Sequence, residues 1–170
     1  MTVTSVETDR QALTLTLTAH YRASIDRVWQ LWADPRLLER WWGPPTFPAT
    51  FTEHDLRPGG SAHYYMTGPN GDTSRGWWRV IAVDPPHRLE LEDGFSDEAG
   101  NPNLALPTMA MRVKISEEGD QVRMTIETSF PSVEAMEQVI AMGMEEGLRE
   151  AVGQIDSLLE EQTASRKDNP

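Results

Sequence analysis

Toward its C-terminal end the chain carries one apolar stripe. Met136, Ile140, Gly143, Met144, Gly147, Leu148, Ala151, Ile155, Leu158 and Leu159 recur at three- and four-residue steps. That spacing places them on one face of a helix, here of ~28 residues and so ~40 Å long at ~1.5 Å per residue. Ser132 suits the N-cap, and Glu134 suits the positive helix start. Glu137, Glu145, Glu146, Glu150 and Glu160 fall mainly off the stripe. Almost everything upstream reads with period two instead. A sheet with one apolar face must cover that face, and this helix is the only element long enough to do it.

Leu13, Leu15 and Leu17 alternate with threonines, which predicts a half-buried strand running to about Tyr21. Ser24 can cap a short helix that carries Ile25, Val28, Trp29 and Trp32, and Asp34-Pro35 starts a second one over about 35–40. From Phe47 to Phe130 strands and turns follow each other closely. Turn residues stand at Gly68–Asp72, Asp84-Pro85-Pro86 and Glu117–Asp120. Met109, Met111, Val113 and Ile115 form one alternating run, and Val122, Met124 and Ile126 form the next. Short connections between neighbouring strands imply an antiparallel meander. The expected fold is α+β: a curved antiparallel sheet of about seven strands wrapped around a long C-terminal helix. Residues 1–10 are expected as a flexible extension, 11–160 as a single domain and 161–170 as a flexible tail.

Composition narrows the function. The chain has 170 residues, a net charge of −12 and no cysteine. The missing cysteines exclude a disulfide framework, a thiolate metal site and a cysteine nucleophile. The acidic balance argues against nucleic acid, because phosphate binding needs clustered Lys and Arg. No run approaches the ~18 apolar residues of a membrane span, and residues 1–10 lack the apolar core of a signal peptide. A cytoplasmic protein without membrane insertion is expected. No G-x-S-x-G elbow or phosphate-binding glycine loop is present. The four histidines form no helical i, i+4 pair. In a strand, His54 faces away from Glu53 and Asp55. No metal and no cofactor is expected.

The stripe contains two glycines, Gly143 and Gly147, where each costs ~1 kcal/mol against alanine in mid-helix. They either leave room for a guest between helix and sheet or allow close packing. The methionines pose the same choice, since a flexible thioether suits both a variable pocket and an irregular core. If a small apolar ligand lies between helix and sheet, its expected contacts are Tyr64, Met66, Trp78, Met109, Met111, Met124, Ile140, Gly143, Met144 and Gly147. Of Trp77-Trp78 and of Tyr64-Tyr65, one ring each faces inward. Trp29 and Trp32 read as core. Of Trp41 and Trp42, one reads as buried and the other as a candidate for the cavity mouth. His63, Tyr64, Arg79 and Glu127 are candidate inward polar groups, and a one-residue slip inverts each choice.

The segment from Ser24 to Trp29, followed by Asp34-Pro35, Leu38 and Trp41-Trp42-Gly43-Pro44, resembles the opening of the START/Bet v-type (SRPBCC) superfamily. The branch it most resembles is the one named after the C-terminal domain of the activator of heat-shock-protein-90 ATPase. Asp55–Gly60 with Tyr64-Tyr65, Pro85-Pro86 with Arg88-Leu89, and Gly143–Gly147 fit that branch as well. The similarity covers roughly residues 11–160. It implies a helix-grip fold with a cavity between sheet and helix, and a binder of small apolar molecules, lipid or polyketide-like, more than an enzyme. One alternative is a cyclase- or hydrolase-like enzyme with acid–base groups in the cavity. Another is an interaction module, either a chaperone cofactor or a homodimer. The eukaryotic activator has a separate N-terminal domain that engages the chaperone, whereas only about ten residues precede the first predicted strand here.

Overall fold

The period-two patterning becomes one antiparallel sheet. The computed structural model describes residues 3–167. Its strands are β1 (Val3–Asp9), β2 (Thr14–Tyr21), β3 (Ala49–His54), β4 (Ser61–Thr67), β5 (Thr73–Asp84), β6 (Arg88–Ser96), β7 (Met109–Glu118) and β8 (Gln121–Ser129). They lie in the order β1-β2-β8-β7-β6-β5-β4-β3, eight strands rather than about seven. Two short helices, α1 (Ile25–Ala33) and α2 (Pro35–Leu38), carry the chain from β2 to β3 at the opposite edge. Ser24 Oγ accepts from the Arg27 N–H and an Asp34 carboxylate oxygen from the Arg36 N–H, so both predicted caps form.

The additional strand is β1, in the segment expected to be mobile. Its pairing with β2, Glu7 opposite Thr16 and Asp9 opposite Thr14, satisfies the backbone groups on that side. Val3 is buried and Val6 packs against the core, which gives a polar segment enough apolar contact to stay on the edge. Leu13, read as the start of a strand, sits instead in the β1–β2 turn at φ +58°. At the other end, α5 (Ile155–Lys167) continues well past the predicted start of the tail. Residues 168–170 of that predicted tail lie outside the described residues.

The long helix is also corrected. The stripe is divided among α3 (Val133–Ala141), α4 (Met144–Val152) and α5. Gly143 has φ +91° and separates α3 from α4. A left-handed residue after a helix is favoured as glycine, because a Cβ there is strained. Gly143 thus ends one helix and begins the next instead of lying mid-helix. Gly143→Ala should therefore cost about 1 kcal/mol of stability in urea unfolding. An uninterrupted helix would show the opposite sign, since Ala is better than Gly there by about 1 kcal/mol.

These breaks divide the core. Ile155, Leu158 and Leu159 of α5 join Leu17, Trp32, Trp78, Met124 and Ile126 in a large cluster. Met136 and Val139 of α3 join Leu15, Met109 and Phe130 in a smaller one. Leu148 of α4 touches both clusters. The α4 segment bridges the two packed regions, and the interior opens beneath it.

Candidate functional site

Alternation along β6 places a carboxylate where a hydrophobe would be expected. Leu89 and Leu91 are buried on the inner face, and Asp93 is the next residue of the same parity. Its cross-strand partners are Trp78 on β5 and Met109 on β7. Tyr64 of β4 reaches it across Gly76 of β5. A Cβ at Gly76 would stand 2.3 Å from the Tyr64 ring and hydroxyl, so only glycine lets the phenol lie across that strand. The Tyr64 hydroxyl donates to Asp93 Oδ1 at 3.4 Å.

An aromatic cluster surrounds this pair. Trp42 meets Trp78 edge-on with centroids 5.0 Å apart and Tyr64 at 6.1 Å. Phe51 lies 5.1 Å from Tyr64 and 5.4 Å from Trp78. Behind them, Trp32 packs 4.8 Å from Trp41 and donates its Nε1–H to the Met124 sulfur at 3.4 Å. Among the described residues, the buried indole nitrogens of Trp42 and Trp78 make no hydrogen bond of ordinary geometry, but both N–H groups lie near enough to Tyr64, and that of Trp78 near enough to Asp93, to favour their charged forms. Burial in this setting raises the Asp93 carboxyl to about 7, against smaller opposing effects of Tyr64 and Trp78. Burial, reinforced by the neighbouring Asp93, lifts the Tyr64 phenol well above its usual range.

Asp93 opens onto a cavity of about 200 Å³. Trp42, Gly43 and Pro44, from the segment between α2 and β3, form one wall. Met66, Met111 and Thr128 come from β4, β7 and β8, and Met144, Gly147, Leu148 and Ala151 come from α4. The surface is mostly apolar, with Asp93 and Thr128 as its polar side chains.

Of the ten predicted contacts, Met66, Met111, Met144 and Gly147 line this cavity. Tyr64 and Trp78 stand behind Asp93 in the aromatic cluster. Met124 lies under Trp32, and Met109 and Ile140 pack with the smaller cluster. Gly143 is exposed at the α3–α4 junction, away from the cavity lining. Of the two readings left open for the glycines, Gly147 fits the one in which space remains. A Cβ there meets only the Pro44 side chain, at 3.8 Å, so its missing side chain does leave space.

The paired choices are settled by parity. Trp78 is inside, and Trp77 lies on the outer face against Gly94, donating to the Phe95 carbonyl at 3.0 Å. Its cover comes from this chain's own β6. Trp41 and Trp42 are both buried, with Trp42 at the cavity. Among the predicted inward polar groups, only Tyr64 points in. His63 faces Glu53 at 3.5 Å, Glu127 faces Arg112 at 3.7 Å, and Arg79 is exposed. His54 turns to the Trp32 carbonyl at 3.0 Å. His87 is exposed, with Nδ1 3.1 Å from the Ile115 carbonyl. Among the described residues, no three His, Asp or Glu side chains converge as metal ligands, and no helix is long and apolar enough to cross a membrane.

Residues 22–160 match the model of a family described as activator of Hsp90 ATPase homolog 1-like protein. No curated protein matches the chain in sequence. The crystal structure of a Mycobacterium smegmatis protein is similar at 48% identity and TM-score 0.86, over 92% of this chain and 96% of that one. The solution structure of an Arthrobacter aurescens protein is similar at 49% identity and TM-score 0.91, over 94% and 93%. A Staphylococcus epidermidis protein shares 25% identity at TM-score 0.80, over 93% and 94%.

Proposed function

Since this chain belongs to the activator of Hsp90 ATPase homolog 1-like family, whose fold is compatible with ligand binding, we propose that it binds a small, largely apolar molecule between α4 and the sheet. The observation that carries this reading is the void itself. About 200 Å³ stands open beneath α4, walled by Trp42, Met66, Met111, Met144 and Leu148 and open to solvent on one side. Packed interiors leave few voids larger than water, and an apolar cavity of about 150 Å³ is enough to take benzene. The volume suits a molecule of about one ring or a short chain, and the open side leaves room for a longer molecule to protrude.

Toluene is a suitable probe. Near one-hundred-fold excess over its Kd it should stabilise the protein by about 2.7 kcal/mol and raise Tm accordingly. No change in Tm at saturating toluene contradicts the reading. A second reading, an enzyme of cyclase or hydrolase type, is favoured by the Tyr64–Asp93 pair. A carboxyl near 7 in an apolar pocket is suited to general acid–base work.

A further inference from the structure

We infer that the cavity selects a small primary ammonium ion bearing an apolar group, with Asp93 as its counter-ion. The inference rests on the cavity being the ligand site and specifies which chemistry that site reads. Of the side chains that line the cavity, Asp93 alone is ionisable. Among the described residues, no cation of the lining answers it. The α4 lining is Met144, Gly147, Leu148 and Ala151; β7 and β8 offer Met111 and Thr128; the segment before β3 offers Trp42, Gly43 and Pro44. On the sheet side its neighbours are Trp78, Met109 and the Tyr64 hydroxyl, and Tyr64 is the only titratable group among these three. A half-buried carboxyl facing an apolar cavity is costly to ionise without a positive partner, and a cation beside it would offset that cost.

The surroundings suit an ammonium in particular. Tyr64 already donates to the carboxylate, so an incoming N–H group has the remaining oxygen lone pairs to address. Thr128 supplies a second acceptor in the same cavity, and Trp42 supplies the ring type that attracts cations best. An anionic ligand would meet Asp93 with no Lys or Arg in the lining to offset it. The net charge of −12 also favours the approach of a cation.

Binding must be linked to protons. In the empty cavity the Asp93 carboxyl stands at about 7. An ammonium beside it pulls that value down, so near neutrality the amine displaces protons from Asp93.

Titration calorimetry with benzylamine, benzyl alcohol and toluene tests this. At about pH 8 benzylamine should bind about tenfold or more tighter than benzyl alcohol. Its affinity should fall by about tenfold or more on going to about pH 5, where Asp93 is protonated. Near neutrality its heat should vary with buffer ionisation enthalpy, reporting proton release, whereas toluene should show no release. Asp93→Asn should abolish the preference for benzylamine over benzyl alcohol. If that variant does not fold, the wild-type pH profile and proton release decide. Equal affinity for amine and alcohol at about pH 8, without proton release, overturns the inference and leaves the cavity reading standing. If toluene does not bind, the cavity reading falls and the inference falls with it.

Discussion

Replacing Asp93 by Asn is expected to stabilise the protein at about pH 8, by as much as about 4 kcal/mol. Burial raises the folded-state carboxyl to about 7, whereas an unfolded aspartate stays near ~3.9. Between those values the native state holds more protons than the unfolded state, so stability falls as pH rises. The contribution is fully present below about pH 4 and is lost on passing through about pH 7. The gap between the unfolded and folded carboxyl corresponds to about 4 kcal/mol, a ceiling that local relaxation and water in the cavity lower. Asparagine keeps the shape and keeps an acceptor for the Tyr64 hydroxyl, but it cannot ionise. Urea unfolding of both proteins from about pH 4 to pH 8 should show the variant gaining on the wild type throughout that window. Subtracting the two curves removes the surface carboxylates, which are common to both. Parallel curves would mean that Asp93 ionises as freely in the native protein as in water.

Gly147→Leu should separate binding from folding. Gly147 lies within α4 and lines the cavity, and a Cβ there has only Pro44 in reach. The new side chain therefore enters open space. Replacing a helical glycine by leucine is worth about 1 kcal/mol in helix propensity alone. Filling the cavity removes apolar surface from water at about 25 cal/mol per Å², which adds to the gain. The expected result is a protein more stable by at least about 1 kcal/mol whose toluene affinity is at least about tenfold weaker. Loss of stability together with retained binding would mean that α4 cannot accept a side chain there and that the ligand sits elsewhere.

Much of the architecture is readable from periodicity alone. Met109, Met111, Val113 and Ile115 are all buried in β7, as their alternation requires, and Ser24 and Asp34 cap the helices they precede. Parity tells which face a residue occupies, but not how far along the strand it stands. Met111 therefore reaches the cavity while Met109 on the same face packs with Phe130 and Met124 lies under Trp32. Asp93 escaped for a local reason. An Asp-Gly pair such as Asp93-Gly94 carries a turn signal, yet Leu89 and Leu91 already indicate its face. In the stripe, glycine is ambiguous. Gly143 is a left-handed break and Gly147 a true helical position, and the spacing is the same for both. The β1 strand escaped because an edge strand needs few buried side chains.

The central claim is that the space beneath α4 receives a ligand, and the methionine methyl groups report on it directly. Eight methionines are present, and Met66, Met111 and Met144 line the cavity. During a toluene titration followed by methyl NMR, those three resonances should shift together and saturate at one Kd. Met109 and Met136 in the smaller cluster and exposed Met142 should stay nearly fixed. Saturable shifts at Met109, Met136 or Met142 with none at the cavity three, or no saturable shift anywhere, would contradict the account.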